Sequence, residues 1–131
     1  MNIKLDKILA EISAGELVDK ITILEIKKIK ISDSDKLIEI NKELTSLNAT
    51  IDKFIPDQSL IEKHKIQLKK VNLKLWDIEN NKRKAEQEKK FGEDFIENAR
   101  NVYKLNDERA KIKLAINTTL GSNIKEVKSY E

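Results

Sequence analysis

Along most of this chain apolar residues recur at alternating spacings of three and four, the interval at which one face of an α-helix returns. The clearest run is Leu37, Ile40, Leu44, Leu47, Ile51 and Phe54, a coiled-coil-like seam. Ile61, His64, Leu68, Val71, Leu75, Ile78 and Ala85 keep the same spacing with an interruption at Lys82, and Phe95, Ala99, Val102, Ile116 and Leu120 share a face further on. The pattern predicts an all-α fold. Only the stretch from Ile3 to Ile12 has too little periodicity to separate a short helix from a strand.

The breaks between helices are marked mainly by caps. Ser13-Ala14-Gly15-Glu16 has the form of a capping box, in which the serine hydroxyl accepts one free N–H and the glutamate folds back onto another, so a first helix should run from Gly15 to Ile31. Ser32-Asp33-Ser34-Asp35 supplies a turn and the next N-cap. Pro56 disfavours helix at Ile55 and ends the second helix, with Asp57 or Ser59 capping a long third one. Phe91-Gly92 separates the third helix from a fourth that begins near Glu93 and stops at Gly121. Short connections make neighbouring helices antiparallel, which predicts a bundle of about four helices in one domain, residues 1–131, with a short N-terminal segment 1–13 and a polar tail 122–131.

Composition narrows the function classes. Lys and Arg number 26 against 23 Asp and Glu, so the charged fraction of 37% is nearly balanced and does not form the basic footprint of a nucleic-acid binder. Without cysteine, thiolate metal sites and disulfides are excluded. No apolar run reaches the roughly 20 residues of a spanning helix, and the N-terminus has no signal-peptide core. A cytoplasmic protein with no membrane or nucleic-acid partner is expected.

Candidate chemistry appears where the apolar pattern fails. The apolar arc of the fourth helix is bounded by Leu105 and Ile112 on one side and by Ile96 and Leu114 on the other, yet Asn106, Arg109, Lys113 and Asn117 lie near its middle. Charges there are costly unless partners or water satisfy them. The third helix carries a stripe of Asn72, Trp76, Glu79 and Arg83, and the first carries Glu16, Lys20, Ile23 and Lys27 with Asp19 alongside. One polar pocket shared by three helices explains all three stripes. Plainer explanations stand beside it: buried polar residues that set helix register, an exposed Glu16–Lys20 pair, packing for Trp76, a core position for His64, and a solvated face for Lys82 to Lys90. Glu16 with Asp19, and Asp94 with Glu97, also have a spacing that could hold Mg²⁺ in all-helical pyrophosphohydrolases, although such pairs arise by chance in a chain with this many acidic residues. No glycine-rich phosphate loop, H-E-x-x-H or G-x-S-x-G occurs.

Three segments together resemble an uncharacterised family of small bacterial and phage proteins. They are GELVDKITILEIK from Gly15 to Lys27, NLKLWDIE from Asn72 to Glu79, and ARNVYKLNDERAKIK from Ala99 to Lys113, with Ile116-Asn117, Ser122 and the stretch from Glu126 to Tyr130 also fitting. The resemblance implies no established activity; its members are similar to proteins encoded near polysaccharide-building glycosyltransferases, which implies a link to surface-glycan metabolism. The motif positions matched here are Glu16, Asp19, Lys20, Lys27, Trp76, Glu79, Arg83, Arg100, Tyr103, Asn106, Asp107, Arg109 and Lys113. Asn80 departs from the pattern, which favours an acid there. If that acid serves chemistry, this chain binds without turning over.

Two functions are therefore expected as alternatives. In the first, Lys20, Lys27, Asn72, Trp76, Arg83, Tyr103, Asn106, Arg109 and Lys113 line a pocket for an anionic small molecule, a phosphorylated sugar or a nucleotide, with Glu16 or Glu79 as general acid or base if the protein is an enzyme. No cofactor or metal is required. In the second, the seam of the second helix and Trp76 form a homo-oligomer or dock a partner enzyme, and the protein is a scaffold without catalytic activity.

Overall fold

The computed structural model describes residues 3–129 and contains four α-helices: α1 (Ala14–Lys30), α2 (Ser34–Phe54), α3 (Glu62–Glu88) and α4 (Glu93–Leu120), with a single 3-10 turn, Gln58–Ile61, leading into α3. Each terminus has a local cause. Ser13 Oγ accepts the Glu16 N–H at 3.0 Å, and Asp33 accepts the N–H groups of Asp35 and Lys36 at 2.9 and 3.1 Å. α2 ends two residues before Pro56, and Asp57 caps the 3-10 turn by accepting from Ser59. α3 closes on Lys89 and α4 on Gly121, both left-handed, and in each case the next N–H reaches back to Ala85 or Asn117.

α1 is the centre of the bundle. Leu17, Val18, Ile21, Leu24 and Ile26 are buried on several of its sides, as expected for a helix with apolar residues around most of its circumference. α2 covers it from one direction and the α3–α4 pair from the other. One core joins Leu17, Val18, Ile21 and Leu24 to Ile40, Leu44 and Ile51 of α2, to Ile61 and Leu68, and to Ile116. The seam expected in α2 thus packs within the chain, and Leu44 is no surface for a partner. Phe54, its last member, is exposed, because the helix ends there before the chain turns at Pro56.

Other expectations need correction. Residues 3–12 form neither helix nor strand and carry exposed apolar side chains. On α4, Ile96, Ala99 and Leu114 face solvent, and the buried stripe is Leu105, Ile116 and Asn117. α1 packs on that stripe, so the buried face is rotated towards the polar residues. From Leu73 to Lys104 no residue is buried, and the outer part of the α3–α4 pair stands clear of α1 and α2. Lys82 to Lys90 lie on this projection, mostly exposed. No helix among the described residues is long and apolar enough to cross a membrane.

Candidate functional site

Asp19 on α1 is fully buried, and three helices meet at its carboxylate. Asn72 of α3 donates to it at 2.9 Å and to Thr22 Oγ1 at 3.0 Å. Arg109 of α4 donates from Nε at 3.0 and 3.1 Å and also from Nη2, a two-pronged grip suited to the planar guanidinium. Thr22 is held in turn by donating to the Asp19 carbonyl at 2.8 Å. The hydrogen bond to Asp19 raises the Arg109 pKa further despite partial burial, with the charges of Asp19 and Glu16 adding to it, so the guanidinium keeps its charge.

One turn towards the start of α1 the arrangement repeats. Glu16 binds Lys113 at 2.5 Å and Lys20 at 3.7 Å, and Lys113 is also 3.8 Å from Asp19. Contacts that climb α1 from Glu16 to Asp19 descend α4 from Lys113 to Arg109, so the two helices run antiparallel. The reciprocal half of the capping box does not form, because Lys113 takes the Glu16 carboxylate. A further step down, Asn117 accepts the Gly15 N–H at 2.7 Å, while Ser122 accepts the Ala14 N–H at 3.1 Å. With Ser13 on Glu16, the first three N–H groups of α1 are all satisfied. The tail closes this end: the Glu126 carboxylate accepts from Ser13 Oγ and, at 3.2 Å, from Asn117. Partial desolvation alone would raise the pKa of Glu126, but the Ser13 hydroxyl, its own backbone N–H, the Asn117 amide and the Lys113 charge outweigh it and lower the pKa.

These contacts place most of the expected site residues in two groups and leave Lys20, Tyr103 and Asn106 outside both. Glu16, Asn72, Arg109 and Lys113 do converge inside the bundle, but around a carboxylate of this chain rather than an open anion site. Asp19, placed by the sequence beside the α1 stripe, in an acid pair with Glu16 and among the motif positions of the resemblance, is the hub. Glu16 and Asp19 also lose their claim to Mg²⁺, since cations of α4 occupy both; no group of three metal-binding side chains occurs among the described residues.

The second group lines an open cleft of about 450 Å³ where the α3–α4 projection leaves α1. Ile23, Ile26 and Lys27 come from α1, Leu75, Trp76, Glu79, Asn80 and Arg83 from α3, with Asn72 and Arg109 also lining it. Trp76, Lys27 and Glu79 are half-buried and Arg83 is exposed. Glu79 is 3.5 Å from Lys82. Among the described residues neither Lys27 nor Arg83 meets a carboxylate. The Trp76 indole N–H, the Asn80 amide and Arg109 Nη1 likewise have no hydrogen-bond partner among the described residues.

Asn106, Arg109, Lys113 and Asn117 line a separate depression of about 390 Å³ under the tail residues Glu126 to Lys128. Tyr103 is exposed and lines none of the described cavities, and Lys20 is exposed beside Glu16. The sequence offered no sign of the Gly15–Asn117 contact or of Glu126 as its clamp. Gly15 stands in the sequence as the start of the first helix, Asn117 as part of the polar arc of α4 and Glu126 as part of the resemblance, with nothing to join the three.

The model of a family of unknown function, DUF6165, matches residues 8–131. No curated protein and no solved structure matches the chain.

Proposed function

Since the chain belongs to DUF6165, a family without an assigned activity, its role has to be inferred from the site itself, and we propose that the cleft beside Trp76 binds an anionic small molecule of the phosphorylated-sugar or nucleotide class. The observation that carries this reading is the pairing of Lys27 and Arg83. They come from different helices, line the same cleft, and have no carboxylate partner among the described residues. Uncompensated cations beside a half-buried tryptophan favour a ligand with phosphate at one end and a ring at the other. Arg83 suits phosphate because its fork donates two parallel hydrogen bonds, and Lys27 adds a movable charge. Ile23, Ile26, Leu75 and the indole supply an apolar wall for a base or sugar face, and Glu79 and Asn80 offer polar partners to its hydroxyls. The volume falls within the ordinary range for small-molecule sites.

Binding is favoured over turnover. Glu16 is tied to Lys113 and Lys20 and does not line the cleft, while Glu79 has a cation beside it and no second acid within the lining. Asn80 stands where the family resemblance favours an acid, which points the same way. A link to surface-glycan metabolism in a bacterium or phage, implied by that resemblance, would make a sugar nucleotide or sugar phosphate the natural ligand.

A thermal-shift screen against nucleoside diphosphates, sugar phosphates and inorganic phosphate tests the reading, since a ligand that binds only the folded state raises its melting temperature. At least one phosphorylated compound should stabilise the wild type and fail to stabilise Lys27→Ala/Arg83→Ala. No shift with any compound, or equal shifts in both proteins, would remove the ligand role.

A further inference from the structure

The arm before α1 is the least explained part of the chain. Ile3, Leu5, Ile8 and Leu9 are between 71 and 88% exposed on a segment with no helix, strand or covering element. Single exposed aliphatics are ordinary, but four within seven residues form a patch. At the root of the same arm lies an apolar groove of about 570 Å³ between α1, α2 and the 3-10 turn. Phe54, Ile55, Pro56, Leu60 and Leu120 furnish its walls; Phe54 is 70% exposed and Leu60 58%. Ala10 to Ser13 border it, but the aliphatic residues further out do not enter it.

We propose that the arm of one chain seats in the groove of a second copy, and that two copies exchange arms about a two-fold axis. Reciprocity is the first argument. Each copy carries one uncovered arm and one uncovered groove rooted at the same place, so a two-fold pairing fills both and leaves no open end for a third copy. Reach is the second: residues 3–12 span at most about 35 Å when extended, enough to cross from one root to the neighbouring groove. When the arm is extended, alternation puts Ile3, Leu5, Lys7 and Leu9 on one side, three aliphatic side chains and one cation facing a groove whose lining is mainly apolar with two carboxylates. Charge is the third. Glu11 and Asp57 lie in the groove lining, and the arm from Ile3 to Leu9 brings Lys4 and Lys7 against the one acid Asp6. This contact is independent of the cleft beside Trp76 and uses none of its lining residues.

Sedimentation equilibrium of the full chain over a wide concentration range tests the exchange, using Leu5→Asp/Leu9→Asp in the arm and Phe54→Asp/Leu60→Asp in the groove. All four positions are exposed in the single chain, so circular dichroism should be unchanged. The wild type should dimerise, and each double variant should weaken the dimer at least about a hundredfold, since two aliphatic or aromatic contacts are lost. A wild type that stays monomeric, or a dimer that either pair of substitutions leaves intact, would overturn the proposal. So would a monomer whose arm binds vesicles of phosphatidylcholine and phosphatidylserine, because the arm would then serve a lipid surface.

Discussion

A Cβ placed on Gly15 would stand 2.5 Å from the backbone carbonyl oxygen of Lys113 and 2.9 Å from Asn117 Oδ1. α1 and α4 therefore touch almost backbone to backbone, and the absence of a side chain at position 15 allows it. That approach lets Asn117 accept the Gly15 N–H and sets the register in which Glu16 meets Lys113 and Asp19 meets Arg109.

Gly15→Ala should lower stability by about 1–3 kcal/mol, because the atom it meets is backbone and cannot rotate away. Gly92→Ala, with nothing within 4 Å of the new methyl, is the control for the clash and should cost less than about 1 kcal/mol, the loss of a favourable N-cap residue of α4. Urea denaturation of the two variants measures the difference.

Removing Arg109 takes the closest counter-charge from the buried Asp19, which keeps only the Asn72 amide at 2.9 Å and Lys113 at 3.8 Å. Arg109→Ala should cost about 3–5 kcal/mol, the usual penalty for breaking such a pair from one side. In the double variant Asp19→Ala/Arg109→Ala the costs should fall short of additive, with a coupling of about 0.5–3 kcal/mol read from a double-mutant cycle. Full additivity would mean that the two side chains do not act together.

Glu126 links stability to acid. Its folded pKa lies below the ordinary 4.5, so the folded state holds the carboxylate more tightly than the unfolded chain does. Stability from this contact is present above pH 4.5 and is lost as the pH falls through the lower folded value. Glu126→Gln should lose part of it at neutral pH and show a flatter stability profile as the pH falls below 4.5. A thermal-melt series across that range gives the comparison.

The outer part of the α3–α4 pair should open independently of the body. With no buried residue from Leu73 to Lys104, its amides are protected only by helix hydrogen bonds and a two-helix seam. Hydrogen exchange should be faster there than at Val18, Ile21, Leu68 and Ile116. Equal protection would indicate that another surface covers the projection.

The helices could be read from the chain because their signals are local. Ser13, Asp33, Pro56, Gly92 and Gly121 each act within a few residues, and the three-four spacing of Ile40, Leu44 and Ile51 needs only one helix to appear. The polar convergence was also visible, since Arg109 and Lys113 interrupt an apolar arc. What they converge on was not, because Asp19 neutralises Arg109 across 90 residues of sequence and only packing makes them neighbours. The same holds for Glu126, whose partner Ser13 is 113 residues away. The arc of α4 was centred wrongly because periodicity reports that a face is apolar, not which neighbour covers it. Leu114 and Ile96 fit the wheel but look away from α1.

Trp76 is the single tryptophan of the chain and lies in the cleft with Lys27 and Arg83, so its fluorescence reports on that site alone. Titration with a purine or pyrimidine nucleoside diphosphate, with glucose 1-phosphate and with inorganic phosphate is the most direct measurement. A saturable change with at least one of the ring-bearing compounds is expected, weakened at least about tenfold in Arg83→Ala, since a charge-assisted hydrogen bond contributes about 1.5–3 kcal/mol. An unchanged spectrum with every compound, or the same affinity in wild type and Arg83→Ala, would contradict the assignment of the cleft.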